Sequence, residues 1–466
     1  MSLTSAIWSR VSAQTPNAKI FRAGAVVSML GASVSAITAV KDVVIARYFG
    51  RNDAIDAFFI AYLLPSFVVS LAIGSLGAAL IPVLVDVRRQ KGLESAQELV
   101  SAVGVLSLLA LVALAVVLGL LCPLYLPYLG SAFSSEKLRL TRDLLWALVP
   151  FVVFSGMSQY ITSVSNAGER FALPAATPLI TPVVVILFIA LASAAWGAYA
   201  IVAGTVAGSI MEAAILAKSL QRQGLRFLLR WSGLSEDVRA VLRQYSPVVA
   251  GSFLIGSTVV VDKAMAAMLP AGSVAALSYA NKVVSGVMAI GAAALSTATF
   301  PYFSQMVSAG DWAGCRHTLK RYSALVLAVT VPFTLLLIVF SRPIVAILFQ
   351  RGAFTAADTD LVSRVQVCYL LQVPFYATAM LFVKFLSAAK MNRVLMYGAA
   401  MSLLLDVGFN LVLMKWSGVS GIALSTALVY AVSFVYVVIS AAHVLGKRAN
   451  SLEAPSHPGH RPFEGR

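Results

Sequence analysis

Apolar runs of about eighteen residues or more return along almost the whole chain, and nothing constrains its fold more. Such runs cross the hydrocarbon of a bilayer as α-helices, because there the backbone finds no water and must satisfy its own N–H and C=O groups. The 466 residues are 59% hydrophobic and only 12% charged, against about 25% charged in a soluble domain. The chain therefore reads as an all-α polytopic membrane protein. About twelve spans are predicted, at 21–48, 55–87, 97–124, 138–165, 171–194, 197–220, 243–269, 272–306, 320–341, 356–389, 393–415 and 418–445. Several exceed the ~20 residues that cross a bilayer, so those helices tilt, kink or protrude. The expected kinks are Pro65, Pro82, Pro150, Pro247, Pro301, Pro332 and Pro374, with a run of Pro174, Pro178 and Pro182 in the fifth span.

The net charge of +16 does not point to nucleic acid, because its lysines and arginines sit in short loops between spans. With both termini in the cytoplasm, the inside segments collect most of them, and the outside loops hold chiefly Arg51, Lys137, Arg139, Arg142, Arg342 and Arg351. The bias favours an N-in, C-in topology. The polar N-terminus does not read as a cleaved signal peptide. Three scattered cysteines and four histidines near membrane ends or in the tail make no disulfide framework, metal cluster or catalytic constellation. No phosphate-binding loop appears, so neither an enzyme nor an ATP-driven pump is expected, and no cofactor or metal.

The chain repeats itself. Asp42 in span one matches Asp262 in span seven, Pro82 answers Pro301, Pro150 answers Pro374, and Trp196-Gly197 echoes Trp416-Ser417-Gly418, all at offsets of 219–224 residues. Six spans per half leave both halves in one orientation. That makes a parallel repeat about an axis along the membrane normal, as in transporters that rock two lobes around a central cavity. The expected units are an amino-terminal lobe (1–220), a cytoplasmic linker (221–242), a carboxy-terminal lobe (243–446) and a disordered tail (447–466).

Within the spans stand Lys41, Asp42, Glu212, Asp262, Lys263, Lys282, Lys384 and Asp406. An ion at a helix centre costs roughly 2.5–3.5 kcal/mol on insertion scales, so each needs a partner or a polar path. Lys282 lies about eight residues, some 12 Å, from the near end of span eight, next to Asn281, and is placed in a cavity. Adjacent helical residues point about 100° apart, so Lys41–Asp42 and Asp262–Lys263 cannot all face one central space. Small residues on the same helices, Gly31, Gly74, Gly77 and Gly286 among them, permit close helix approach.

The run Lys41-Asp42-X-X-Ile45-Ala46-Arg47-Tyr48-Phe49-Gly50, followed by Asp56-Ala57-Phe58-Phe59-Ile60-Ala61-Tyr62, Leu64-Pro65 and Ile81-Pro82-Val83-Leu84, resembles the signature of the MurJ/MviN family. Tyr279-Ala280-Asn281-Lys282 resembles that family's eighth helix, and Phe349-Gln350-Arg351-Gly352-Ala353-Phe354-Thr355 the loop before its tenth. The resemblance implies the multidrug/oligosaccharidyl-lipid/polysaccharide (MOP) exporter fold, shared with MATE transporters. It also implies flipping of an undecaprenyl-pyrophosphate-linked glycan, lipid II for peptidoglycan, across the bacterial inner membrane, by a monomer working among membrane lipids. Lys41, Lys263 and Lys282 are the expected phosphate contacts, and Asp42, Asp56, Asp262 and Asn281 the expected cavity or gating residues. The chain departs from the pattern in having lysine for arginine at 41 and 282, Ser35, Val69 and Gly74 for charged residues, and twelve spans for fourteen. Export of another lipid-linked exopolysaccharide or O-antigen unit is the alternative. A drug/cation antiporter of the same fold would want an acidic, aromatic cavity, and lysines beside Asp42 and Asp262 argue against one.

Overall fold

The computed structural model describes residues 16–221, 230–231 and 233–453, with side chains for 26–221, 230–231, 233–289 and 302–447. Among the described residues there is no strand. Twelve long helices follow one another: α1 (Pro16–Phe49), α2 (Asp53–Gln90), α3 (Gly92–Leu129), α4 (Ser135–Ala167), α5 (Ala172–Trp196), α6 (Tyr199–Gln221), α7 (Glu236–Ala266), α8 (Ser273–Ser308), α9 (Trp312–Val339), α10 (Ala356–Ala388), α11 (Asn392–Ser417) and α12 (Val419–Glu453). A short helix, Ser341–Phe349, lies between α9 and α10. Eleven of the twelve are long and apolar enough to cross a membrane over their described residues. The remaining one, α8, is 36 residues long, ample for a crossing at 1.5 Å per residue. This is a multi-pass helical membrane protein. Leu191, Leu404 and Trp416 stand exposed on its flanks, as lipid-facing side chains do.

Local chemistry sets the helix ends. Asn52, Ser134, Ser235 and Thr355 each cap a helix by accepting a backbone N–H in its first turn. The Ser235 cap, with Glu236 and Asp237 favourably placed at the positive end of the helix dipole, starts α7 inside the segment expected to be linker. At the other end α12 runs to Glu453, past the expected start of the tail. Residues 454–466 lie outside the described residues.

Between its two prolines α2 carries a further irregularity. A π-helical segment, Ser70–Gly74, interrupts the helix, and Tyr245 from α7 donates to the Ala72 carbonyl there at 2.7 Å. In α5 the break does fall in the proline run, as a 3-10 turn at Thr177–Leu179. Glu212 of α6 takes up the freed groups: the backbone N–H and hydroxyl of Thr181 donate to it at 3.2 and 2.5 Å. Glu212 therefore repairs a helix break. Gly204 and Gly208, one turn apart on α6, let this contact form, since a Cβ on either would fall 2.7 and 2.6 Å from α5 backbone atoms. Gly31 and Gly286 by contrast approach nothing.

The turns carry the repeat. Glu169 and Lys390, the two non-glycine residues with positive φ among those described, are 221 residues apart, after α4 and α10. Gly197 and Gly418 close α5 and α11 with φ, ψ of 53°, −133° and 58°, −133°, a conformation open in practice only to glycine. Gly50 ends α1 with positive φ, whereas Gly272, also with positive φ, caps the start of α8. Helices α1–α6 and α7–α12 thus form two lobes of like connectivity. They meet along α2 and α7, while α1 touches α8 only sparingly.

Candidate functional site

Where the α1–α2, α7–α8 and α9–α10 connections meet, the lobes are clasped. Asp56 of α2, 2% exposed, accepts from the backbone N–H of Gly272 at 2.6 Å and of Ala275 at 2.8 Å, so it caps a helix of the other lobe. Lys137 of α4 holds Asp56 at 3.0 Å and Asp53 at 2.6 Å. Arg51 donates to Asp358 at 2.9 Å and to the Ala271 carbonyl at 3.2 Å. The Ala353 N–H donates to Arg47 O at 2.8 Å and the Tyr279 hydroxyl to Gly50 O at 3.1 Å. Gly272 must be glycine here: its φ is 81° and a Cβ would lie 2.4 Å from Arg51. Behind the polar clasp Phe59, Tyr279, Phe349 and Phe354 stack with centroids 5.4–6.0 Å apart and plug this end. On the rim, a hydrogen bond to Asp360 raises the exposed Arg342 guanidinium above its ordinary range.

Deeper in, the expected cations converge. Asp42 stands between two lysines: its Oδ1 is 3.2 Å from Lys41 and its Oδ2 3.1 Å from Lys282 of the opposite lobe. The carboxylate is buried, but the Lys41 and Lys282 side chains keep 23% and 44% of their exposure. The cluster is therefore reachable from the space between the lobes. Lys263 lies over the Phe59 ring at 5.5 Å, close enough for its charge to interact with Lys41, Asp42 and Lys282. Two ammonium groups on one carboxylate, with Lys263 over the Phe59 ring nearby, leave a net positive site, fit for a multivalent anion.

Asp262 does not join them. As helical geometry requires, it points away from its neighbour Lys263, into the carboxy-terminal lobe, where Asn410 donates to it at 2.8 Å and Thr426 at 3.2 Å. Asp406 stands beside it, and the two carboxyls can share a hydrogen bond through one proton; Asn410 Oδ1 has no donor. Together with Asn281 the two acids line a cavity of about 720 Å³. Among the described residues no group of three or more His, Cys, Asp and Glu side chains could hold a metal.

The structure thus brings together Lys41, Asp42, Lys263 and Lys282, puts Asp56 in the clasp and sends Asp262 and Asn281 to the second cavity. Sequence reasoning missed Lys137, which it counted only as an outside loop charge. Its one signal was an isolated lysine three residues after a Ser-capped helix start, with no acid of its own lobe near it in sequence except Glu136.

The profile of the lipid II flippase MurJ family matches residues 45–452. A probable lipid II flippase MurJ of Thermotoga maritima is 26% identical over 414 residues, covering 88% of this chain and 83% of that protein. One of Buchnera aphidicola subsp. Schizaphis graminum is 25% identical, covering 84% and 78%. Among solved structures, a lipid II flippase MurJ in an inward closed conformation superposes with a TM-score of 0.76 at 23% identity, over 92% of this chain and 90% of that one. An inward-facing MATE-family multidrug transporter superposes at 0.73 with 11% identity, over 92% and 99%.

Proposed function

The chain belongs to the MurJ lipid II flippase family, and from that premise we propose that it moves a lipid II-type, undecaprenyl-pyrophosphate-linked glycan across the bacterial inner membrane by alternating access. It acts as a monomer with both termini in the cytoplasm, and as a transporter without catalysis. The observation that carries this reading is the ionic bridge Lys41–Asp42–Lys282. It joins the lobes at mid-depth, is open on its lysine side, and holds two cations against one buried acid. In the empty protein Asp42 holds the two lysines together. A diphosphate brings more charge than Asp42 and recruits both ammonium groups, with Lys263 behind them. Because Lys41 and Lys282 come from different lobes, the headgroup is held by both and feels any rocking of one against the other. The prenyl chain stays in lipid, beside the sparsely packed α1–α8 side.

On the proposed topology the Asp56 clasp seals the outer end, so the structure has the arrangement of an inward-facing state. Transport of a fluorescent or radiolabelled prenyl-diphosphate glycan into vesicles tests the site. Lys41→Ala and Lys282→Ala each abolish it with expression and fold intact, while arginine at either position preserves it. Normal transport by both alanine variants removes the site. Another undecaprenyl-linked glycan is the second reading, favoured by Val69 and Gly74 where the family pattern has charges. Growth of cells depleted of their own lipid II flippase decides between the two.

A further inference from the structure

Glu212 of α6 takes part in neither the headgroup site nor the clasp. It follows Tyr199, the first residue of α6, by about 20 Å of helix, well inside the hydrocarbon. Its Oε1 accepts from the N–H and the hydroxyl of Thr181, and its Oε2 accepts from no described residue. No cation pairs with it among the described residues. Helix α5, packed against it, carries no ionisable residue. Beyond Asp143, α4 carries only Tyr160, whose hydroxyl donates to the Val100 carbonyl. On α6 itself Lys218 is exposed and lies about 120° round the helix. From α2 the Tyr62 ring, held against Phe58 and Phe151, stands near enough to feel the charges of both Glu212 and Asp42. On α1, Asp42 is already held by Lys41 and Lys282.

The internal repeat shows that the fold does not need a charge here. The turns at Glu169/Lys390 and Gly197/Gly418 bracket α5 and α11 at one constant offset. Thr181 therefore corresponds to Ser402, and Glu212 to Ser433. Those two are bonded as well, hydroxyl to hydroxyl at 2.8 Å. Each lobe ties its last two helices together at the same position, and the carboxy-terminal lobe does so with neutral groups. Helix α11 also runs unbroken from Asn392 to Ser417, with Leu395, Ala399 and Leu403 where α5 has Pro174, Pro178 and Pro182. Even the broken α5 needs only an acceptor for the Thr181 N–H, and a neutral amide is one. Packing thus accounts for a hydrogen bond at Glu212 and leaves its ionisable proton unexplained, although an ionised carboxyl without a cation is costly at this depth.

We propose that Glu212 is a proton-binding site, loaded and unloaded once in each cycle of the lobes. The proton adds to Oε2 and leaves the neutral acid; no other bond forms or breaks except hydrogen bonds. A larger cation finds no shell here, because the Thr181 N–H and hydroxyl turn their hydrogens to the carboxylate and no cluster of acids surrounds it. Ionised Glu212 holds the Thr181 N–H and with it the break at Thr177–Leu179. The neutral acid is a weaker acceptor, so the N–H returns to the Thr177 carbonyl, four residues back, and α5 straightens. Helix α1 packs on both parts of α5, and α1 carries Lys41 and Asp42. Proton and headgroup are linked through that helix. The ionised form belongs to the arrangement with the outer end clasped. Protonation favours parting of the clasp, and by linkage the parted form holds the proton more tightly. Resting on the flippase reading, this means a proton taken up outside and released inside as the lobes return.

The experiment uses no glycan, so its failure is distinguishable from failure of the flippase reading. The purified full chain, spin-labelled at Glu136 and Ala357 on either side of the clasp, is stepped from mildly alkaline to mildly acidic pH. Infrared difference spectra and double electron–electron resonance distances are recorded together. The wild type gains a protonated-carboxyl C=O band that Glu212→Gln lacks. Its ratio of parted to clasped lobes rises by about fivefold or more. Glu212→Gln keeps the acids of the clasp, so whatever they contribute remains, and its response to pH is smaller than that of the wild type by about fivefold or more. Glu212→Asp retains the band and the response. The double variant Thr181→Ser/Glu212→Ser copies the pair that already joins α11 to α12. It keeps the melting temperature and loses both signals, which a purely structural role for Glu212 does not predict. Lys282→Ala keeps the carboxyl band. Either of two results overturns the inference: the same carboxyl band in wild type and Glu212→Gln, or an equal response of the lobes to pH in wild type, Glu212→Gln and the double variant.

Discussion

Replacing Asp56 with asparagine should open the clasped end. The carboxylate accepts two N–H groups across the lobe boundary, from Gly272 and Ala275, and one ammonium from its own lobe, Lys137. Only the first two are lost when the lobes part, so only they bias the conformational equilibrium. Hydrogen bonds to a charged group contribute about 1.5–3 kcal/mol each, and a neutral amide oxygen retains one of the two at about 1 kcal/mol. The variant therefore loses about 2–5 kcal/mol of preference for the closed arrangement. If the closed form starts at about 99:1, the ratio falls to between roughly 3:1 and 1:50. Spin labels at Glu136 and Ala357, both exposed, sit on opposite lobes beside the clasp, and their double electron–electron resonance distances report the two populations. A distance distribution in Asp56→Asn identical to that of the wild type would refute the assignment of Asp56 as the clasp.

Two smaller predictions concern packing and orientation. Gly208→Ala places a Cβ 2.6 Å from the Thr181 Cα and should destabilise the protein by about 1–3 kcal/mol, as overpacking does, read as a lower melting temperature. Gly286→Ala, with nothing near its Cβ, should be neutral or gain up to about 1 kcal/mol from helix propensity. For orientation, a cysteine at Ala357 should react with an impermeant maleimide added to intact cells, and one at Arg239, in the first turn of α7, should not. Labelling at Arg239 alone would invert the proposed topology.

What was legible in the sequence follows from the solvent. Hydrocarbon forces every span to be a long apolar helix, so composition alone locates the spans, with ends that miss by up to eight residues where a helix runs on beyond its apolar stretch, as at α7, α9 and α12. The constraint acts on whole windows and is blind to single contacts. It therefore missed which glycines matter: Gly204 and Gly208 pack α6 onto α5, while Gly31 and Gly286 touch nothing. It also offered only prolines as irregularities of α2. A proline inside a tilted membrane helix loses one hydrogen bond, but the π segment at Ser70–Gly74 rests on Tyr245 from 173 residues away, which no local rule can see.

The same limit shaped the reading of the site. Charge in a span is a strong local signal, so Lys41, Asp42 and Lys282 were singled out and the structure sets them within ion-pair distance, and rotation by about 100° per residue already required Asp262 and Lys263 to part. What their separation served was not legible. The partners of Asp262 are Asn410 and Thr426, residues that cost little in a helix and raise no alarm in a hydropathy profile. Asp42 and Asp262 occupy matching positions in the repeat and appeared to duplicate one role, with a lysine beside each arguing against an acidic cavity. The structure divides the two acids instead. Asp42 faces the boundary, because Lys282 of the other lobe is there to pair with it. Asp262 turns inward, because its own lobe carries Asp406 and Asn410 where the first lobe carries Val185 and Ile189. The two lobes share one frame, and α11 carries Asp406 and Asn410 where α5 carries Val185 and Ile189.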